Sequence, residues 1–427
     1  MLRKITVLAV ALAAISPVAF AGEDGEGFTT TSCAFPADAP MPGSSDTVLT
    51  VGGGQQYATI QAAVDDAAPG DTVLIHPGEY TESVLVTTPY LRIRGTDRAG
   101  VQLNGETVRD IGIAVDGADG VVIENMTAHH YVKHGFFWDE THGYWGRYLT
   151  GYSNGLYGIY AFDARCGQLT DSYASGNADS GFYIGECFPC DAVIDNIVAE
   201  ENALGYSGTN AGGNLELRNS VWRDNGLGIV PNSLDGEDRP PQRGTMIRNN
   251  LVLDNNNIDA PGISLAGTYW GGGIIIAGGA GNQVFGNTVT DHALGGIVLS
   301  PLPDSNVWIA TGNTIWGNVV THDAEAYPDA IDLTQGLTSG PGNCWADNDF
   351  STSAPPMIEE IYDCGLPITP PGGDPRMELS LIEGAAGLNG RVQSPWETWP
   401  APTAPEASID MPASLTGPIT EWLPAVM

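Results

Sequence analysis

Basic residues are scarce in this 427-residue sequence, where 16 Lys and Arg stand against 51 Asp and Glu and lysine occurs only at Lys4 and Lys133. A formal charge of −35 argues against a nucleic-acid partner, because nothing could neutralise a run of phosphates, and it disfavours anionic membrane surfaces. Beyond the N-terminus no apolar stretch approaches the roughly 18 residues of a membrane span, so we expect no membrane insertion. We find no signal for an oligomeric state.

The first 21 residues have the pattern of a secretory signal peptide. A short basic start ends at Lys4, an apolar run covers Ile5 to Ile15, and Ala19-Phe20-Ala21 precedes the predicted cleavage site. We therefore predict a secreted or periplasmic protein. The polar, Pro-rich residues 22–47 that follow are predicted to be a linker or an irregular N-terminal cap.

Six cysteines in an exported chain favour disulfides over catalysis. Cys344 and Cys364 are predicted to pair and to close a C-terminal loop, residues 336–365. The partners of Cys33 and Cys166 stay open, as do those of the Cys187-Phe188-Pro189-Cys190 motif, for which we favour a structural bridge over redox or zinc chemistry.

A repeat of about 23 residues dominates the middle of the chain. Glycines recur in steps of 23, 23, 24 and 23 at Gly135, Gly158, Gly181, Gly205 and Gly228, and asparagines keep similar spacing at Asn154, Asn177, Asn202, Asn225 and Asn255. No unit contains a helix-length periodic run, and each has room for three short strands and three turns. We therefore predict an all-β fold, a parallel β-helix of about ten coils over residues 48–335, with asparagines hydrogen-bonded along its axis.

One short helix is predicted before the coils. Ile60, Ala63, Val64 and Ala67 have helical spacing and Pro69-Gly70 ends the pattern, after which Thr72–Ile75 is predicted to be a strand. Such a helix would cover the open end of the coil, where unpaired strand edges invite aggregation.

This entry region also resembles a known group of proteins. The run Tyr57-Ala58-Thr59-Ile60-Gln61-Ala62-Ala63-Val64, with Gly70-Asp71-Thr72-Val73 and Pro77-Gly78-Glu79-Tyr80 after it, is similar to the start of right-handed parallel β-helix proteins of the pectin-lyase-like superfamily. The resemblance implies a right-handed coil. It implies no single activity, since that superfamily contains lyases, hydrolases, epimerases, adhesins and copper-processing proteins. The epimerase, polygalacturonase and pectate-lyase motifs are missing, so no catalytic residue is carried over.

Residues counted from the closing glycines fall into columns. We expect Phe136, Ile159, Phe182, Tyr206 and Ile229 to point inward, and Phe137, Tyr160 and Tyr183 to point outward, where Tyr160 and Tyr183 could stack on sugar rings. A third column contains Glu140, Asp163, Glu186 and Asn210, with neighbours roughly 5 Å apart. Carboxylates that close must share a proton or a cation. Asp163 and Glu186 are therefore candidate acid and base, Glu140, Asp163 and Glu186 are candidate calcium ligands, and Glu140 and Asn210 are candidate substrate ligands; the alternative is a solvated acidic edge.

Other candidates lie near this column. An insertion over residues 233–243, with Asp235, Glu237, Asp238, Arg239 and Arg243, could form a wall of a groove, in which Arg239 and Arg243 would bind substrate; a plain surface loop is the alternative. A second insertion lies near residues 256–272.

A lyase needs a base, for which Lys133 and Arg165 are candidates. Arg165 could instead pair with Asp163. Four histidines surround Lys133, at His129, His130, His134 and His142. A metal cluster is the alternative for them, but His130 and His292 each follow an Asn by five residues, which favours a structural turn role.

The sequence thus predicts an exported β-helix that binds, and in one version cleaves, an extracellular polysaccharide or cell-surface glycan, as a lyase or a glycoside hydrolase. The alternative is a non-catalytic surface or periplasmic scaffold, adhesin-like or copper-processing. Residues 366–427 form a Pro-rich tail that we expect to dock partly on the coil, because Trp396, Trp399 and Trp422 are costly to leave in water.

Overall fold

The computed structural model describes residues 33–263, 266–403 and 405–419. The predicted signal peptide, residues 22–32 of the predicted N-terminal segment and Trp422 lie outside these ranges. Within them the chain winds as a coil with three faces, each a ladder of parallel strands.

The first face is a ladder of twelve segments. In order they are Val48–Val51, Thr72–Ile75, Arg92–Gly95, the first part of Val121–His129, the first part of His142–Tyr152, Arg165–Thr170, Ala192–Asp195, Gly212–Arg218, Arg243–Arg248, Gln283–Phe285, Thr314–Trp316 and Cys344–Ala346.

The second face continues from the first around a corner. Its strands are Gly78–Tyr80, Val101–Asn104, the second parts of Val121–His129 and His142–Tyr152, Tyr173–Ser175, Val198–Glu200, Val221–Arg223, Leu251–Leu253, Thr288–Thr290 and Val319–Thr321. The two long strands run through both faces and join them into one sheet.

The third face is a separate sheet of eleven described strands. They are Val84–Val86, Ile111–Asp116, His134–Asp139, Ile159–Phe162, Ser180–Gly185, Leu204–Thr209, Leu227–Asn232, Gly272–Ala277, Gly295–Ser300, Ile331–Gln335 and Ser353–Ala354. The strand pair Leu302–Pro303 and Val307–Trp308 is antiparallel and lies outside the coil ladders.

The strand register confirms the predicted columns. Ile159 lies opposite Phe136 and Phe182, and Tyr206 lies opposite Phe182 and Ile229; all are buried in one continuous core. The coil is therefore the predicted parallel β-helix, and its strands continue past residue 335 to Ala354.

Asparagine side chains form the predicted ladder between the second and third faces. The Oδ1 atom of Asn202 accepts the backbone N–H and the side-chain amide of Asn177 at 3.0 and 2.8 Å, and Asn202 donates in the same way to Asn225. Glycine is needed beside this ladder: a Cβ on Gly158 would lie 2.8 Å from the Asn177 side-chain nitrogen. The two sequence repeats are thus two parts of one packing arrangement.

Left-handed residues turn the chain at the corners. One corner column contains His130, Ser153, Glu201, Asp224 and Asp291, all with φ near +50° to +60°. The predicted equivalence of His130 and His292 is wrong by one residue. His292 lies in the asparagine ladder instead, where its Nδ1 accepts the Asn255 N–H at 3.3 Å.

The predicted cap helix is present as Ile60–Asp66, with Thr59 as its N-cap and Ile60, Ala63 and Val64 buried. All six cysteines form disulfides. Cys344 pairs with Cys364, as predicted, and the open pairings are Cys33–Cys166 and Cys187–Cys190.

The chain after Cys364 packs along the coil. Its helices are Ile358–Ile361 and Arg376–Ala385, with short 3₁₀ turns at Ala266–Thr268, Trp396–Thr398, Pro405–Ser408 and Ala413–Leu415. Trp396 is buried, and the Trp399 indole donates to Glu201 at 3.1 Å, so the predicted docking is confirmed for these two tryptophans. No described helix has the length and apolar character to cross a membrane.

Candidate functional site

The outward surface of the third face changes character halfway along the coil. Aligned strand positions carry rings in the earlier coils and aliphatic side chains in the later ones: Phe137, Tyr160 and Tyr183 are followed by Ser207, Val230, Ile275 and Val298, and His134 and Tyr157 are followed by Ser180, Leu204 and Leu227. We call residues 134–185 of this face the aromatic half and residues 204–300 the aliphatic half.

The rings of the aromatic half form one contact cluster. Tyr160 stacks on Phe137 with ring centroids 4.6 Å apart, and it meets Tyr157 at 4.6 Å and Tyr183 at 4.7 Å. His134 stacks on Tyr157 at 5.2 Å. Burial raises the pKa of all three tyrosines well above the ordinary value, so their hydroxyls stay protonated and act as hydrogen-bond donors.

The two predicted sugar-stacking residues are not open to solvent. Tyr160 is 8% exposed and Tyr183 only 1%, because they pack against each other and are covered from outside. The partly exposed rings of this half are those of Phe137, Tyr157 and Phe162. Tyr157 escaped the sequence analysis, although it lies 23 residues after His134 and the repeat spacing could have found it.

Residues 233–243, which we call the overlying loop, cover the predicted carboxylate column. Glu140, Asp163, Glu186 and Asn210 do occupy one corner, with φ between +42° and +52°. Asn210 is buried and uses its amide to hold the loop: Nδ2 donates to the Leu234 and Glu237 carbonyls at 2.8 and 3.1 Å, and Oδ1 accepts from Leu234 N–H at 3.1 Å. Asn210 is therefore an anchor of the loop, and its amide is taken up.

An arginine occupies the position where the sequence placed a cation. Arg239 of the overlying loop donates through Nη1 to the Asp163 carboxylate and to the Glu186 carbonyl. The expected partner of Asp163, Arg165, has an exposed side chain instead. Asp163 thus has a charged partner from the chain itself, which removes the electrostatic reason for a calcium ion at this step of the column.

The described metal-type cluster lies elsewhere. It joins Cys33, Cys166 and Asp191, and its two sulfurs are bonded to each other.

Glu237 lies where the overlying loop meets the aromatic half. Its Oε2 accepts the Tyr183 hydroxyl at 3.0 Å. Burial and the nearby carboxylates of Glu186 and Asp179 raise its pKa to about 7, against the opposing effect of the Tyr183 hydrogen bond. A carboxyl with this pKa carries a proton for much of the time near neutral pH, which suits a general acid.

Other carboxyl groups of the corner are perturbed in the same direction. Burial raises the pKa of Glu186, whose Oε1 accepts the Asp238 N–H at 2.8 Å. Burial and the charges of Glu140, Asp116 and Asp163 raise the pKa of Asp139 to about 6. Glu140 is exposed at the edge of the corner. The corner therefore joins one paired carboxylate, Asp163, to several that hold protons more tightly than usual.

The basic candidates do not converge on this corner. Lys133 forms an exposed ion pair with Asp110 at 2.9 Å. Arg243 lies over the Phe188 ring at 3.6 Å and donates to the Pro241 carbonyl, which positions it as a support of the loop.

The four histidines are likewise dispersed. The Nδ1 atoms of His129 and His130 lie 2.7 Å apart, His142 contacts Phe35, and His134 belongs to the aromatic half. Burial lowers the pKa of His134 to about 3, so its imidazole is neutral.

A cavity of about 680 Å³ adjoins Glu237 and extends over the aliphatic half. Its floor consists of outward side chains of the third face, and its roof is the helix Arg376–Ala385. Tyr157, Asp179 and Glu237 line the cavity at its end toward the aromatic half. The size is that of an ordinary small-molecule pocket.

Comparison with known proteins matches residues 134–306 to the family described as "Right handed beta helix region". Among curated proteins, the chain is 28% identical over 154 residues to pectate lyase PEL9 of Emericella nidulans, which covers 33% of each protein. The chain therefore spans about a third of the length of this relative.

Two solved structures show weaker likeness. The A-module of the mannuronan C-5 epimerase AlgE4 of Azotobacter vinelandii is 16% identical, with a TM-score of 0.48 and coverage of 69% of this chain and 91% of that one. An alginate lyase of Paenibacillus sp. is 17% identical, with a TM-score of 0.43 and coverage of 72% and 99%. At these values the likeness carries no inference about activity.

Proposed function

Since the chain is a right-handed parallel β-helix protein of the pectin-lyase-like kind, we propose that it binds an extracellular polysaccharide on the aromatic half and cleaves it with a pair of carboxyl groups. The observation that carries this proposal is Glu237, a carboxyl with a pKa of about 7 that Tyr183 holds beside a cluster of rings. Partly exposed aromatic faces are suited to sugar rings, and glycoside hydrolysis needs one protonated and one ionised carboxyl group.

The roles follow from the surroundings of each carboxyl group. Glu237 donates its proton to the glycosidic oxygen as the bond to the anomeric carbon breaks. Glu186, held by the Asp238 N–H, takes a proton from the water that attacks that carbon. Asp163 is a positioning residue, because its pairing with Arg239 fixes the loop that carries Glu237. Water is the co-substrate, and the proton on Glu186 returns to Glu237 through solvent.

The charge of the corner favours a neutral glycan. Asp139, Glu140, Asp163 and Glu186 surround the site, and the Arg239 charge is already engaged by Asp163. A polyuronate would meet repulsion here unless a cation came with it. We place the protein outside the cytoplasm, which the three disulfides support.

The test is hydrolysis of a panel of neutral glycans by the wild type and by Glu237→Gln. We expect the variant to lose at least about 100-fold in kcat, because a glutamine cannot donate the proton. Wild-type kcat should fall as the pH rises through about 7, since Glu237 then loses its proton. The matched control is Asp238→Asn, which removes an exposed carboxylate of the same loop and should leave the rate near wild type.

Two results would contradict the proposal. One is an unchanged kcat in a folded Glu237→Gln protein. The other is binding of glycans without any product, which would favour the scaffold or adhesin-like alternative.

A second candidate is β-elimination from a polyuronate, favoured by the partial match to a pectate lyase. It predicts an unsaturated product that absorbs ultraviolet light, with a dependence on added calcium. Appearance of that product with a uronate polymer, and no reducing sugar from neutral glycans, would select this reaction. Mutation of Lys133 and Arg165 would then identify the base.

A further inference from the structure

We propose that the cavity over the aliphatic half binds the alkyl or acyl chain of an amphiphilic glycan, so that the ligand is a neutral sugar carrying a hydrocarbon chain. This inference rests on the proposed function for the sugar part and on the cavity alone for the chain. The sugar would lie at the aromatic half and the chain beneath the helix Arg376–Ala385.

The side chains of the floor are unsuited to a sugar. Along the aliphatic half, the cavity is lined by Leu204, Leu227, Val230, Ile275 and Val298. Glycines replace side chains at two neighbouring floor positions, where Ile275 and Val298 occupy the space that a Cβ on Gly272 or Gly295 would need. A glycan here would leave its hydroxyls without partners, which is costly, whereas a hydrocarbon chain would be removed from water.

The roof is held over the floor from both ends. Near its start, the Glu378 carboxylate accepts from the Thr338 N–H and hydroxyl, each at 3.0 Å. Near its end, the Tyr269 ring lies against Gly384, where a Cβ would come within 2.2 Å of the ring. The Trp270 indole donates to the Asn389 carbonyl at 2.9 Å. These contacts hold the helix above a space that it does not fill.

Apolar side chains of the roof stay exposed as a result. Leu379 is 56% exposed and Leu388 is 74% exposed, although both line the cavity. Soluble proteins rarely leave neighbouring large aliphatic groups in water without a use. An alkyl chain between roof and floor would cover them.

The polar groups of the cavity set the direction of the ligand. Asp179, Glu237 and the Tyr157 ring lie toward the aromatic half. Arg376, at the far end of the roof, is already paired with Asp374 at 2.9 Å. The acidic end suits a head with hydroxyl donors and disfavours a free fatty-acid carboxylate. The chemistry therefore indicates a neutral sugar head and an uncharged chain.

The experiment is displacement of the neutral dye Nile red from the full chain by octyl β-glucoside, 1-octanol and glucose. We expect octyl glucoside and octanol to displace the dye at concentrations at least about tenfold below any effect of glucose. Ile275→Trp fills the floor and should weaken both chain-bearing ligands about tenfold or more. Leu85→Trp, on the same outward surface but before the site, is the matched control and should behave as wild type.

Val298→Trp is a second filling variant in case the first fails to fold. The proposal is overturned if glucose competes as well as octyl glucoside, or if a folded filling variant binds octanol as tightly as wild type. The two proposals fail separately. Octanol binding that Ile275→Trp abolishes, in a protein that turns over no glycan, supports the chain site and overturns the hydrolase.

Discussion

The two halves of the third face share a backbone and differ in what lies on it. In the aromatic half, outward positions carry His134, Tyr157 and Tyr160, which pack on one another and on the overlying loop. In the aliphatic half, the same positions carry Leu204, Leu227 and Val230, and a helix covers them at a distance. One surface is filled by its own rings and the other encloses a void.

This difference shows that the coil supplies positions and the insertions supply chemistry. The strands hold both halves in the same register, so neither half owes its character to a change of fold. The overlying loop brings Glu237 to the junction, and the C-terminal helix closes the other half. Function in this molecule is thus placed at the boundary between two coverings.

The largest expected effect is on the scaffold that both halves share. Asn202→Ala would leave the Asn177 amide groups without their acceptor and the Ala174 carbonyl without a donor, all of them buried. We expect a loss of about 3 kcal/mol in the free energy of unfolding. Chemical denaturation measures it, with Asn196→Gly, at an exposed left-handed corner, expected within about 0.5 kcal/mol of wild type. Equal losses in both variants would refute the role of the ladder.

A pair of truncations should separate the halves. Tyr157→Ala removes a partly exposed ring and should weaken oligosaccharide binding about tenfold while leaving octanol binding near wild type. Leu227→Ala should do the opposite, because it removes floor of the cavity only. Calorimetric titration of both ligands on both variants gives the comparison. If each variant weakened both ligands alike, the halves would form a single site.

The smallest expected effect is a pH dependence of stability. The pKa of Glu237 is raised from 4.5 to about 7 in the folded chain, so the folded state binds the extra proton between these values. Stability therefore falls as the pH rises from 4.5 through 7, and the contribution is lost above pH 7. Glu237→Gln should flatten this part of the Tm profile by a few degrees relative to wild type. The groups facing Glu237 are Tyr183, Glu186, Asp179, Tyr157 and Tyr160, and they remain in both proteins. Parallel profiles would mean that Glu237 is an ordinary surface acid.

The fold was predictable because its determinants repeat. Asn177 and Asn202 recur at nearly the coil length, and a side chain that bonds its own equivalent in the next coil must keep that spacing. The inward and outward columns follow from strand alternation once the period is known. The same arithmetic placed Asp163 and Glu186 at one corner.

The site was less predictable because it depends on segments that interrupt the repeat. Arg239 lies 76 residues from Asp163, and no spacing indicates that their side chains meet. Burial of Tyr183 likewise depends on a loop that the column position cannot reveal. The cavity escaped prediction altogether, since its roof comes from the tail and its floor from strands about 150 residues earlier.

The tail also changes how the coil can come apart. From residue 389 to 417 it runs back along the stack: Trp399 bonds Glu201, Ala407 accepts from Thr150, Met411 donates to Asn125, and Gly417 accepts from Arg92. Stacked repeats ordinarily have nearest-neighbour stability, so they can fray one coil at a time. Here late residues hold early coils, so fraying at the first coils also requires release of the last segment. We expect the solenoid to melt as one cooperative unit, more like a closed domain than an array.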